Sequence, residues 1–140
     1  MDIKKVSIGA TALLATAIAA PVSAHHSFAA EFDSSRPVML KGVVKRMEFT
    51  NPHSWIYVDV TTESGEVQEW AIEGAAPNAL LRRGLNRNSL PPGTEISVRG
   101  FQARDRTLRA AGRDVTLPDG SKLFVGSTGV GAPDEERGEE

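Results

Sequence analysis

The stretch PVMLKGVVKRMEF, residues 37–49, decides the fold. Val38, Leu40, Gly42 and Val44 mark every second position, then the phase shifts and Met47 and Phe49 take the apolar places. A period of two is the signature of a strand with one buried face. A phase change near a glycine points to a bulge that bends the strand across two sides of a barrel.

Downstream, SWIYVDV (54–60) puts Ile56, Val58 and Val60 on one face and Trp55, Tyr57 and Asp59 on the other. TESG (62–65) is turn chemistry, and VQEWAIE (67–73) returns as a third strand with Trp70 and Ile72 inward. GAAPNALLRRG (74–84) breaks the pattern and predicts a helix of about two turns. Pro77 suits its first turn, Leu80 and Leu81 can face the core, Arg82 and Arg83 complement its C-terminal end, and Gly84 can stop it. NRNSLPPGT (86–94) reads as a loop, EISVRGF (95–101) as a fourth strand and ARDR (103–106) as a tight turn. TLRAAGRDVTL (107–117) follows as a fifth strand bent at Gly112, and PDGS (118–121) turns into KLFV (122–125). The order β-β-β-α-β-β plus a hairpin predicts an all-β fold with one short helix. It is that of a small OB-like five-stranded Greek-key barrel with a C-terminal hairpin. Another small antiparallel barrel or sandwich is the alternative.

Residues 1–24 read as a secretory signal peptide. Lys4 and Lys5 precede the apolar IGATALLATAIAA, and Val22-Ser23-Ala24 offers small residues for cleavage. The apolar run is shorter than the ~20 residues of a spanning helix, and no later segment could span a bilayer. The expected location is the periplasm, or the medium, after a cut following Ala24. Loss of Lys4, Lys5 and Asp2 takes the net charge from −2 to −3. The segment STGVGAPDEERGEE (127–140) holds five acids and one arginine, which leaves residues 25–126 at +1. That near-neutrality argues against a nucleic-acid partner, which needs a clustered basic face. The acidic tail has almost nothing apolar and reads as disordered. There is no cysteine, which excludes disulfides, thiol catalysis and thiolate metal sites. The expected organisation is a signal peptide (1–24), a histidine-containing segment (25–36), the barrel (37–126) and the tail (127–140).

Three histidines carry most of the remaining chemistry. TNPHSW (50–55) joins strands one and two, one of the two loops flanking the ligand face of an OB barrel; ARDR is the other. Pro52 holds Asn51 extended, so His53 emerges at the mouth with Trp55 two residues on along the same face. Asn51, His53 and Trp55 with Arg104 and Arg106 form the expected ligand face. Arg109 joins those arginines around the second loop as a candidate anion binder. The structural alternative is a turn in which Asn51 caps the loop and His53 bonds to backbone.

The pair His25-His26 follows the cleavage site. A cut after Ala24 gives His25 a free amine beside its imidazole, and His26 or His53 would add a third nitrogen. His25, His26 and His53 are therefore the candidate metal ligands. Nitrogen-rich, near-planar donors favour Cu(II), with Ni(II) behind it. A cut after Ser23 would make His26 the third residue, which also chelates Cu(II) through intervening backbone nitrogens. The bland alternative is a frayed terminus. Against it, Phe28 and Phe32 are spaced to pack on the barrel. Glu31 and Asp33 form a carboxylate pair, either solvated or paired with Arg36. Ser27 and Ser54 adjoin histidines, but no nucleophile turn accompanies them, which argues against a hydrolase. Trp55 and Trp70 fit packing better than a sugar platform.

HHSFAAEFD (25–33), NPHSWI (51–56), WAIE (70–73), LLRRG (80–84), PPGTEISVRG (91–100) and LPDG (117–120) run through the chain in that order. Together they resemble an exported Gram-negative domain-of-unknown-function family that carries HHSF and NPHSW motifs. The resemblance reaches to about Val125. It implies export and a single domain, and it implies no activity. The expected function is a non-enzymatic binding or accessory module of unknown ligand or protein partner. A copper-binding protein is the first alternative. A subunit of an envelope or redox complex, docked through an open strand edge, is the second.

Overall fold

The computed structural model of the chain describes residues 28–127. The proposed signal peptide, His25, His26 and residues 128–140 lie outside the described residues. Eight elements follow one another: α1 (Phe28–Glu31), β1 (Phe32–Glu48), β2 (Trp55–Thr61), β3 (Val67–Glu73), α2 (Pro77–Arg82), β4 (Glu95–Ala103), β5 (Arg109–Thr116) and β6 (Lys122–Phe124).

β1 shows why residues 37–49 decide the topology. Its earlier part pairs antiparallel with β4, down to Val43 opposite Glu95. Its later part pairs antiparallel with β2, from Val43 opposite Asp59 to Glu48 opposite Trp55. The extra residue is Lys45, between Val44 opposite Val58 and Arg46 opposite Tyr57. The phase shift read from the sequence is that bulge, three residues beyond the glycine expected to host it. Gly42 instead permits a close approach of strands. A Cβ there would collide with the Asp59 carbonyl and, at 2.7 Å, with Val58 Cγ1. Only glycine lets β1 lie this close to β2.

The remaining pairings close a ring. β2 pairs with β3, β4 with β5, and β5 runs parallel to β3 through Ala71–Arg109, Ile72–Ala110 and Glu73–Ala111. The circuit β1-β2-β3-β5-β4-β1, with a helix between β3 and β4, is the five-stranded Greek-key barrel of OB type. β6 adds to β5 as the terminal hairpin. The bend expected at Gly112 is a second bulge, with Arg113 as its extra residue.

α2 plugs one end. Pro77 occupies its first turn, where a missing N–H costs nothing. Gly84, at φ 83°, ends it in a Schellman motif: Gly84 N–H donates to Leu81 O and Leu85 N–H to Leu80 O, 3.0 Å each. Leu80 is fully buried, but Leu81 is 56% exposed, contrary to the expectation that both could face the core. Leu85 and Leu90, from the loop that follows, take up the inward role instead. They join Val44, Ile56, Val58, Trp70, Ile72, Ile96, Val98, Val115 and Val125 in the barrel core.

A second, smaller cluster forms at the start of β1. Phe28, Phe32 and Ala103 are buried there, with Phe101 and Ala111 packed against them. The Phe28 ring meets Phe101 edge-on at 5.5 Å and Phe32 at 5.8 Å. The packing expected of Phe28 and Phe32 is therefore present, but on a one-turn helix, α1, that the sequence pattern does not announce. β1 accordingly begins at Phe32, earlier than expected, and pairs with Ala103 before residues 33–36 loop out. Among the described residues no helix is long and apolar enough to cross a membrane.

Candidate functional site

The loop between β1 and β2 is stitched to the end of β3. Ser54 N–H donates to Ala75 O at 3.0 Å and Gly74 N–H to Ser54 O at 2.8 Å. Thr50 Oγ1 donates to His53 O at 2.9 Å and closes the turn, which contains a cis Asn51–Pro52 peptide. Thr50 thus does the capping expected of Asn51. Ser54 itself is only 1% exposed, so its hydroxyl offers no surface nucleophile.

Beside this loop lies an open cleft of about 440 Å³, lined by Glu31, Asn51, Pro52, His53, Trp55, Glu73 and Arg109. The sequence-predicted Asn51, His53 and Trp55 are brought together here. Arg104 and Arg106 are not. Arg104 Nε donates to Ala29 O at 2.6 Å, and its backbone N–H to Glu31 O at 2.9 Å. Arg106 sits at φ 62° in the exposed turn, its N–H on Ala103 O. The arginine at the cleft is Arg109, the first residue of β5.

Arg109 holds the site's aromatic side together. Its guanidinium carbon is 5.8 Å from the ring centres of both Phe32 and Trp55, and Nη2 is 3.3 Å from Glu31 Oε2. Its Nε is buried with no hydrogen-bond partner. Glu31 pairs with Arg109, while Arg36 donates to Gln102 Oε1. Asp33 accepts from Ser35, whose hydroxyl and then amide hold its carboxyl below the ordinary range, with smaller help from the Arg104 and Arg36 charges.

His53 faces two acceptors through one nitrogen. Nδ1 lies 3.3 Å from Gly74 O and 3.4 Å from Glu73 Oε1, on a side chain 24% exposed. With acceptors on that side, the neutral ring carries its proton on Nδ1 and its lone pair on Nε2. A carboxylate or carbonyl behind one imidazole nitrogen is how metal-binding histidines are commonly oriented. Two carboxylates against one guanidinium leave the cleft negative by one charge while His53 is neutral.

Glu73 and Arg109 are absent from the ligand face expected from the sequence, and strand register could have found both. Glu73 lies opposite Trp55 at the end of β3, and Arg109 lies opposite Ala71 on the parallel neighbour. Among the described residues, no three His, Asp or Glu side chains form a metal-binding group. His25 and His26, the other candidate metal ligands, lie outside them.

The family model of DUF6152, described as a family of unknown function, matches residues 12–112. The chain belongs to this family. The DUF6152 match includes both loops at the barrel mouth and every residue that lines the cleft. No curated protein and no solved structure matches the chain.

Proposed function

We propose that this DUF6152 protein is an exported, periplasmic binding or accessory module, non-enzymatic, whose ligand seats in the cleft at the barrel mouth. One observation carries the reading: Asn51, His53 and Trp55 converge there with Glu31, Glu73 and Arg109. The cleft adjoins the β1–β2 loop, one of the two loops through which OB barrels take their ligands. Trp55 supplies an apolar face, while the imidazole, amide and carboxylates supply directional bonds, the usual make-up of a small-ligand site. The experiment is export of the full chain in a Gram-negative host, with intact mass and native mass spectrometry of the soluble envelope fraction. A mature chain starting at His25 and carrying a small ligand that His53→Ala releases is expected. A chain retained uncut in the membrane overturns the reading.

A second reading is Cu(II) binding by His25 and His26 with His53. The His53 tautomer favours it, because Nε2 keeps the lone pair that a metal needs. Reach also favours it: Glu31 lines the cleft, and His25 stands six residues before it, about 20 Å of fully extended chain at most. Titration of the untagged mature protein with Cu(II) tests this reading. An affinity indifferent to His53→Ala would sink it.

A further inference from the structure

We propose that the cleft at the barrel mouth takes a small organic cation, a primary ammonium on a short apolar chain. The inference rests on the reading that a ligand seats in this cleft, and deepens it by naming the chemistry that the lining selects. The polar lining is weighted toward acceptors. Glu31 and Glu73 bring carboxylates and Asn51 an amide oxygen. The neutral His53 ring keeps its lone pair on Nε2, because Nδ1 faces Gly74 O at 3.3 Å and Glu73 Oε1 at 3.4 Å. The lining holds one cation, Arg109, and its guanidinium is turned to the protein's own groups. Nη2 lies 3.3 Å from Glu31 Oε2, and the guanidinium carbon lies 5.8 Å from the ring centres of Phe32 and Trp55. Its Nε is buried, out of a ligand's reach.

The charges do not balance. Arg109 offsets Glu31, and the Glu73 carboxylate leaves the cleft negative by one charge while His53 is neutral. An anionic ligand would bring like charge and further lone pairs to this mouth. A primary ammonium brings one positive charge and three donors with no acceptor, so it supplies what the lining lacks. The Trp55 indole attracts an organic cation at its face, and with Pro52 it offers apolar surface to the alkyl chain. A bare metal ion matches the described lining less well, because among the described residues no three His, Asp or Glu side chains form a metal-binding group. An ammonium is held by hydrogen bonds and by the packing of its chain, and needs no ligands converging at bond length.

The test titrates the nitrogen-15-labelled full chain, purified from the envelope fraction, with n-butylammonium, n-butanol and n-butyrate. The three probes share a chain and differ in charge, and two-dimensional nuclear magnetic resonance reports where and how tightly each binds. Butylammonium is expected to shift the His53 and Gly74 amides and the Trp55 indole. It should bind roughly tenfold tighter than the neutral or the anionic probe, the lower end for a hydrogen bond to a charged group. Glu73→Gln keeps the side chain's shape and removes its charge, and should erase most of that preference. Glu31→Gln, on a different element, should act in the same direction. Butanol or butyrate binding at these residues as tightly as butylammonium, or a preference that neither variant reduces, overturns the cation class and leaves the cleft reading standing. Shifts confined to residues away from the cleft, or no shift with any probe, overturn the class as well. If, in addition, His53→Ala releases no co-purified ligand, the cleft reading falls with it.

Discussion

The two loops at the barrel mouth use their polar residues in opposite ways. The β1–β2 loop is fixed by backbone bonds to Gly74 and Ala75 and by the Thr50 hydroxyl, which leaves Asn51 and His53 at the cleft. The β4–β5 loop fixes itself and α1 with its side chains. Arg104 holds the Ala29 carbonyl, Asp105 accepts from the Thr107 amide and hydroxyl, and Gln102 donates to the Arg106 and Thr107 carbonyls. A loop residue is available to a ligand only when something else has already secured the loop. The second loop is richer in charge, and it is the first that faces the cleft.

The largest expected effect probes what the second loop holds in place. Phe28→Ala removes a buried ring that packs beside Arg104's anchor and should cost about 3 kcal/mol in urea unfolding, at the lower end for a phenylalanine deletion. A cost near zero would mean that α1 is not docked, and the contrast between the loops would lose one side. His53→Ala should cost less than about 1.5 kcal/mol in the same assay, since its half-buried ring makes one long hydrogen bond to the Gly74 carbonyl, with the Glu73 carboxylate as a second acceptor on the same nitrogen. Should His53→Ala prove more costly than Phe28→Ala, His53 is a rivet of the fold and the first loop is structural as well.

The smallest effect separates the loops by pH. The Thr107 hydroxyl, then its amide, hold the Asp105 carboxyl below its ordinary value of 3.8. A folded pKa below the unfolded one contributes stability that is complete above the unfolded value. That stability is lost as pH falls through the folded value. The turn after β4 should therefore loosen below about pH 4, seen as faster amide exchange at Thr107, with no change between pH 5 and 8. The Thr50 hydroxyl bond of the first loop contains no titrating group and should hold over the same range. Equal loosening of both loops would show that acid acts on the whole barrel.

Much of this fold was legible because its cues are local. Alternation gave the strands, Pro77 and Gly84 bracketed α2, and the shift from Val44 to Met47 announced the Lys45 bulge. The Asn51, His53 and Trp55 grouping was legible too, since two-residue spacing leading into a strand keeps side chains on one side. The roles of Arg104 and Arg109 could not be read that way. Both sit near one turn in a sequence rich in arginine, and nothing local separates the one that holds α1 from the one that reaches the cleft.

The order of strands, their buried faces and the turns between them were determined by the sequence alone, because each depends on neighbours a few residues apart. The tertiary structure alone decided that Glu31, Glu73 and Arg109 meet His53. These residues come from α1, β3 and β5, and only the parallel closure of β5 on β3, with α1 docked over Phe32, brings them to one mouth.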